Sequence, residues 1–532
     1  MSAAGGPDRL KHWGWGRESR ELDRGALEAM APLVRERLDF DAQPPEDPVA
    51  LDSIEVPAPR VRPPAELGEV LSDAPYERIS RALGKAYRDV VRGMRGHYEH
   101  VPDLVAAPRD EAEVERVLAW CSGEGLAAIP FGGGTSVCGG IEPRELDDYP
   151  GVVTIDVRRL DALHDVDDFS LAARIGAGAT GPILERKLGE RGLTLRCYPQ
   201  SFEFSTLGGW IATRAGGHFA TRETHVDDLV ESVRAVTPAG IWESRRLPGS
   251  GAGPSPDRML IGSEGILGVV TEAWMRVRPR PTFKASRAVA FESFEAGVAA
   301  VRELAQSRLD PANCRLLDAN EAGINQAGPA GMAMLMLGFE SAHEPVDPQL
   351  GVALRMARDH GGEPQPSRRG DANGEVGSWR QAFMAMPYLR DALVRLGVVS
   401  ETFETAITWE RFAGLREAVT RAALDALGTD GGEPKVSCRL THVYPDGPAP
   451  YFTVLAPARR GSEVQQWDEV KAAVSEAILA AGGTITHHHA VGRDHRPWYD
   501  RQRPDPFARA LRAAKRELDP GGVLNPGVLI DA

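Results

Sequence analysis

The stretch TITHHHAVG (residues 484–492) sets three consecutive imidazoles in the interior of a 532-residue chain. Imidazole titrates near neutrality and is also a common zinc ligand, so the run has two chemical readings, proton handling and metal binding. In an extended segment Cβ directions alternate, which puts His487 and His489 on one face and His488 on the other. The three rings then do not converge on one ion, and zinc would still need a further ligand and an open position. The expectation is therefore no metal, with at least one ring buried and hydrogen bonded. Two arginines offer permanent charge suited to two-pronged recognition of an anion: Arg390 in MPYLRDALVRLG and Arg315 in NCRLLDAN. The plain alternative for each is a paired or solvated side chain, for Arg315 with Asp318 three residues on. Tyr451 in PAPYFTVL is either a core aromatic of a strand or a phenol placed to give a proton, with Tyr444 as a second choice.

These side chains need a frame, and glycine-rich segments suggest what it encloses. EAEVERVLAWCSGEG has helical spacing and ends in glycine, LAAIPF follows as a buried strand, and IPFGGGTSVCGG comes directly after it. Gly132, Gly133 and Gly134, with Pro130, Phe131, Thr135 and Ser136 around them, permit a backbone nest for an anion. The loop has neither the Gly-Lys-Ser/Thr of a Walker motif nor the G-x-G-x-x-G spacing of a Rossmann turn. Two further segments share its texture. PQSFEFSTLGGWIATRAGG supplies Pro199, Ser205, Thr206, Gly208, Gly209 and Thr213, and GSEGILGVVTEAWMRVRP supplies Gly262, Glu264, Gly265, Gly268 and Val269. Three backbone-rich segments in one region imply walls around an elongated, phosphate-bearing cofactor.

Strands GVVTIDV and LAARIGAGAT and helix GPILERKLGERG complete an α/β or α+β region, which AWMRVRPRP closes near residue 280. Beyond it, helices and strands alternate again (FESFEAGVAAVRELAQS, GMAMLMLGFE, VDPQLGVALRMARDHGG, WERFAGLREAVTRAALDALG, PYFTVLAP, WDEVKAAVSEAILAAGG), and read as a second, α/β lobe. The polar loop HGGEPQPSRRGDANGEVG is expected to be mobile. The Pro-rich stretch QPPEDPVALDSIEVPAPRVRPPAE is expected to run extended over a surface. A net charge of −14 argues against a nucleic-acid surface. Five scattered cysteines without a CxxC pairing argue against a disulfide or zinc scaffold and suit a reducing compartment. No apolar run reaches the roughly 20 residues a membrane span needs, and the N-terminus has no secretory h-region, so a cytoplasmic location is expected.

In the order and spacing of its three glycine segments the chain resembles the vanillyl-alcohol-oxidase (PCMH-type) FAD flavoproteins. The phrases KHWGWG, SFEFSTLGGWIATRAGG, DDLVESVRAVTPAG, RLLD, YLRD, ETFETAITWERF, CRLTHVY and HHHAVG are similar to those of the alkyldihydroxyacetonephosphate synthase family, over nearly the whole chain. The resemblance implies an α+β fold: an N-terminal helical and extended region (1–98), a two-part PCMH-type FAD-binding domain (99–281), an inserted cap (282–495) and a C-terminal return (496–532). It implies FAD as the cofactor, and Thr135, where covalent relatives carry His, points to noncovalent attachment. The implied reaction exchanges the acyl chain of acyl-dihydroxyacetone phosphate for a fatty alcohol, redox-neutral, with the reacting carbon held on flavin N5. In it Tyr451 is the acid, His488 the base, His487 and His489 either orient that base or contact the substrate phosphate, and Arg390 with Arg315 anchors the phosphate. An apolar tunnel in the cap, peripheral membrane contact and a homodimer are further implications. THVYPDGPAPY is also similar to the metal-binding segment of FAD-dependent D-2-hydroxyacid dehydrogenases, with His442 as its first ligand. Tyr451 and His488 replace the other two ligands, so a dehydrogenase or oxidase is the alternative function.

Overall fold

The computed structural model describes residues 8–219, 221–366 and 386–531. Helix Glu111–Glu124 starts at Asp110, whose carboxylate accepts the Glu113 N–H, and stops at Gly125 in the left-handed region (φ 65°). The chain then enters strand Ala127–Phe131, which pairs in parallel with Val152–Asp156. That strand pairs in parallel with Leu104–Ala106, and Leu71–Ser72 closes the far edge antiparallel. A second, wholly antiparallel sheet runs in the order Leu163–Asp167, Ala172–Gly176, Val269–Arg276, Val230–Thr237, Gly240–Glu243. One apolar core joins both sheets, with Val117, Ile155, Ile175, Val233 and Met275 among its members. The C-terminal Leu524 bridges to Ala128, and Val528, Leu529 and Ile530 enter the same core. The tail is thereby fastened beside the glycine loop.

The second lobe is built on seven strands in the order Glu363–Pro364, Phe283–Phe291, Ala333–Ser341, Asn313–Leu317, Lys435–Val443, Pro448–Pro457, Val398–Glu404. Every pairing is antiparallel, although the alternation of helices and strands reads as α/β. Helices Phe294–Gln306, Asp347–Asp359 and Phe412–Leu427 each connect strands that lie two apart, and a strand from elsewhere in the chain fills the gap. Local alternation is therefore kept while neighbouring strands run opposite ways. Most of the loop expected to be mobile lies outside the described residues.

The N-terminal region forms part of the second lobe's surroundings. Its Lys11 ammonium pairs with buried Asp391, which also accepts the Trp15 N–H at 2.8 Å. A Cβ on Gly14 would lie 2.4 Å from the same carboxylate, so KHWGWG requires glycine there. Asp391 sits on the helix through residues 386–395, next to Arg390. Helix Arg24–Leu38, capped by Asp23, packs its Leu27, Val34 and Leu38 against Leu393 and Leu396 of that helix.

Candidate active site

A cavity of about 400 Å³ lies between the two lobes. Its floor is the glycine loop, the segment 199–217 and the segment 264–270. Gly132 and Gly133 are pressed against Thr206 and the Phe204 carbonyl, where a Cβ would lie 2.3 Å and 2.2 Å from the nearest atoms. Gly134 takes φ 67°, where glycine is at no disadvantage. With the side chains removed and the two segments in contact, the N–H groups of Gly132 through Val137 have no hydrogen-bond partner among the described residues. A consecutive row of unpartnered donors on a cavity wall fits a pyrophosphate, as the expected dinucleotide requires. The Oδ1 of buried Asn525, also on the wall, is a further unpartnered polar atom. Of the residues expected to hold the cofactor, all line the cavity except Gly262, whose positive φ (81°) shapes the turn behind it.

The roof comes from the seven-stranded sheet. Tyr451, Thr453 and Leu455 alternate along one strand and face the cavity. Register sets Tyr451 opposite Arg439 on one neighbouring strand and opposite Glu404 on the other. The Arg439 guanidinium lies over the Tyr451 ring at 3.9 Å and its far end pairs with buried Glu321. A bulge between Leu440 and His442 lets both Thr441 and His442 reach the cavity wall from consecutive positions.

Glu404 shapes the histidine run. Its carboxylate accepts the N–H groups of His487 (2.7 Å), His488 (3.1 Å) and His489 (3.0 Å) and the Thr486 hydroxyl. Just beyond, buried Glu264 accepts the N–H groups of Val491 (2.8 Å) and Gly492 (2.7 Å). The run is thus a bend wrapped on a carboxylate, and the expected alternation of faces does not occur. His487 Nδ1 lies 3.0 Å from His488 Nδ1, and one ring nitrogen from each of His442, His487 and His488 lies within 4.8 Å of the other two. His488 stacks on Tyr451 (centroids 6.0 Å), and His489 meets the same ring edge-on (5.7 Å). An extended strand would have separated what three N–H bonds to one acceptor bring together.

Burial dominates the electrostatics. It holds His488 and His489 down to about 3, His488 further lowered by His225, Arg439 and Arg315, while Glu404 partly opposes it at His489. Burial also drives His442 and His487 well below the ordinary imidazole range, with His488 and His225 adding to it at His442, and His442 and His225 at His487. The rings are therefore neutral at pH 7. Burial raises the Tyr451 phenol, with Arg439 and Thr402 opposing, so the hydroxyl keeps its proton. Glu264 is pushed up to about 7 by burial against its two N–H donors.

Arg390 lines the cavity and donates to the Lys85 carbonyl at 3.2 Å; no carboxylate among the described residues pairs with it. Arg315 is wholly buried behind the wall, held down to about 9 by burial and Arg439, and contacts His218 rather than Asp318. Asp318 instead caps the following helix and holds the Cys438 N–H. The guanidinium that does reach the wall beside Tyr451 is Arg439. Arg439 and Glu404 were not singled out from the sequence, because their roles arise from cross-strand register. The apolar wall is not confined to the cap: Met30, Leu33, Val34 and Leu38 of the N-terminal helix line the cavity together with Ile324, Leu389 and Leu393.

The FAD binding domain family model matches residues 102–244, and that of the FAD linked oxidases, C-terminal domain, matches 280–529. An alkyldihydroxyacetonephosphate synthase of Caenorhabditis elegans is 31% identical over 525 residues, covering 88% of this chain and 86% of that one. The Dictyostelium discoideum protein of the same name is 29% identical over 490 residues, covering 87% and 79%. A solved alkyldihydroxyacetonephosphate synthase structure superposes with a TM-score of 0.81 at 24% identity, covering 97% of this chain and 98% of that one, and so shares the fold. The two-sheet floor, the unpartnered N–H row and these matches agree: FAD is the cofactor, and the chain belongs to the alkyldihydroxyacetonephosphate synthase family.

Proposed function

We propose that this protein exchanges the ester-linked fatty acid of acyl-dihydroxyacetone phosphate for a fatty alcohol, giving an ether and a free fatty acid with no net oxidation. One C1–O bond breaks, another forms at the same carbon, and the alcohol proton balances the departing carboxylate. FAD, cradled by Gly132–Val137 and by the 205–209 and 264–269 segments, supplies when bound the reversible electron sink that makes an outside acceptor unnecessary. Thr135 offers a poor nucleophile for covalent attachment, so the FAD is taken as dissociable.

The observation that carries the reading is the pair Tyr451 and His488, stacked at 6.0 Å on the wall of the cofactor cavity. The protonated phenol donates to the carboxylate as it leaves. The neutral imidazole takes the proton of the incoming alcohol, and both act at one carbon. Arg390, without a carboxylate partner among the described residues, holds the phosphate, with His489 beside it. Arg439 orients the phenol through its face, while Arg315, buried behind the wall, does not line the cavity and takes no part in holding the phosphate. The lipid tails lie along the apolar wall, which ends near exposed Leu33 and Leu389. Membrane contact there would be peripheral, since no helix of the described residues is long and apolar enough to cross a bilayer. A homodimer is carried into the proposal from the family alone, and sedimentation measures it.

The test is incubation of purified yellow protein with acyl-dihydroxyacetone phosphate and hexadecanol, without an electron acceptor, followed by mass spectrometry. Alkyl-dihydroxyacetone phosphate is expected. Anaerobic bleaching of the flavin by a 2-hydroxyacid, with no alkyl product, would replace the proposal with the dehydrogenase reading.

A further inference from the structure

The imidazoles are linked in a hydrogen-bond chain whose direction follows from one fixed end. His225 Nε2 lies 3.1 Å from the His487 carbonyl oxygen, which only accepts. Nε2 of His225 therefore carries a proton, and while the ring holds only that one, Nδ1 accepts. Its partner at 3.2 Å, the Thr224 hydroxyl, must donate to it. The Thr224 oxygen then accepts from the Tyr444 hydroxyl at 2.9 Å. With its own proton so committed, the Tyr444 oxygen accepts from His487 Nε2–H at 2.8 Å. A neutral His487 protonated on Nε2 must accept on Nδ1, and the donor 3.0 Å away is His488 Nδ1–H. A second acceptor for that proton, Glu404 Oε2, lies 3.3 Å from the same nitrogen. His488 Nε2 is left with a lone pair and no hydrogen-bond partner among the described residues.

Each step uses only hydrogen-bond polarity and neutral rings; burial keeps His487 and His488 neutral. His442 is not a link. Its Nε2–H donates to the Gly217 carbonyl at 2.8 Å, and its buried Nδ1 has no partner. At the far end the surroundings change. His225 is half-buried, Arg222 and Glu223 just before it are exposed, and the Asp227 and Asp228 carboxyls lie close enough to stabilise a positive charge formed on it.

We propose that Thr224, Tyr444 and His487 form a one-way proton path that fixes His488 in the Nδ1–H form, so that Nε2 is the base, and that passes the alcohol proton to His225 near the surface. This rests on the exchange reaction proposed above. When the alcohol proton binds His488 Nε2, the Nδ1 proton moves to His487 Nδ1. The His487 Nε2 proton then moves to Tyr444, the Tyr444 proton to Thr224, and the Thr224 proton to His225 Nδ1. The sum is one proton moved and one cation formed, at His225; no electron changes place. A buried imidazole that cannot keep a proton thereby has somewhere to send it. Thr224, Tyr444, His487 and His225 are positioning and relay residues, none of which need touch substrate.

The first test does not depend on turnover. ¹⁵N-histidine NMR of the FAD-loaded protein is expected to show neutral His488 protonated on Nδ1 and neutral His487 and His225 protonated on Nε2. His488 protonated on Nε2 overturns the proposal whether or not the exchange reaction is confirmed. In the exchange assay, Tyr444→Phe and Thr224→Val are expected to slow incorporation of labelled hexadecanol about 100-fold, the scale of a lost proton transfer. Flavin content and KM for the acyl substrate should stay unchanged, and Thr224→Ser should restore the rate. His225→Ala should be slowed likewise and recover as imidazole is added to the buffer. Wild-type rates in flavin-loaded Tyr444→Phe and Thr224→Val proteins overturn the path, as does a His225→Ala variant indifferent to imidazole. So does one tightly held zinc per chain that is lost in His442→Ala, because the rings would then serve a metal. If wild type forms no alkyl product at all, the exchange reading fails, and the NMR result alone decides the tautomer.

Discussion

Glu404→Gln isolates the contribution of one carboxylate to the active-site bend. Oε2 accepts the N–H groups of His487 and His488, while Oε1 accepts that of His489 and the Thr486 hydroxyl. An amide keeps the size but has one accepting atom. Its better orientation puts the oxygen in the place of Oε2 and turns the NH₂ toward Thr486, whose hydroxyl can reverse. The His489 N–H then loses the carboxylate and keeps only its 3.2 Å contact with the Thr486 oxygen. The two retained bonds fall from charged to neutral acceptors, a loss of about 1 kcal/mol each, and the lost one adds about 1–3 kcal/mol. Taking the lower end for the lost bond, because its N–H keeps the Thr486 contact, the sum is about 3 kcal/mol, concentrated on a segment of a few residues. At roughly 1.4 kcal/mol per tenfold, the population holding His488 against Tyr451 drops by about 100-fold. The exchange rate is expected to fall by that factor while FAD content is kept, because none of the cradle N–H groups depends on Glu404. Labelled-alcohol incorporation, visible absorbance and a thermal melt measure the three quantities. An exchange rate within about threefold of wild type, with unchanged melting, would falsify the claim that this carboxylate sets the base.

Stability should fall as the solution is acidified. His488 and His489 are held down to about 3 against an ordinary 6.5, so below about pH 6.5 the unfolded chain takes up protons that the folded chain refuses. Their contribution is complete above that pH and is lost on the way down, by up to about 1.4 kcal/mol per pH unit for each ring; melts between pH 7 and pH 5 that do not move would refute it. Gly133→Ala sets a Cβ 2.2 Å from the Phe204 carbonyl, forcing the two cradle segments apart, and the purified variant should come out with little flavin colour. Arg390→Met should raise KM for the phosphorylated substrate at least about tenfold, since a charged hydrogen bond to phosphate is worth about 1.5–3 kcal/mol, with a smaller effect on kcat.

The floor of the site was legible in the sequence because it is made of local chemistry. Gly132, Gly133, Gly134, Thr206 and Gly265 act through backbone conformation and short-range contact, and segments rich in such residues are visible as strings. The end of helix Glu111–Glu124 was legible for the same reason, marked by Gly125, whereas its Asp110 cap was not singled out. The roof was legible only in part: Tyr451 and His488 stood out as chemical groups, but Arg439 and Glu404 meet Tyr451 only through the register of three strands. A run of three histidines carries no mark of the carboxylate it will wrap, and the period-two assumption failed because a buried acceptor outweighs the strand's own preference. The second lobe was misread in topology for a related reason, since alternating helices and strands do not disclose which strand fills the gap between two others.

The two carboxylates on either side of His489 belong to different parts of the molecule, and that division has a mechanical consequence. Glu404 comes from the seven-stranded sheet that carries Tyr451, whereas Glu264 comes from the segment that forms the cofactor floor. Residues 486–489 are therefore fixed to the roof and residues 491–492 to the floor, with Ala490 between them at φ 72°, a conformation an alanine rarely adopts. Within this run, movement of one lobe relative to the other would fall on the linkage at Ala490. A base mounted on the roof alone would keep its distance from Tyr451 but lose its distance from the flavin site; mounted on the floor alone, it would do the reverse. In the proposed exchange, tethering the run to both is what would let one carbon be approached by an acid and a base over a cofactor held on the floor.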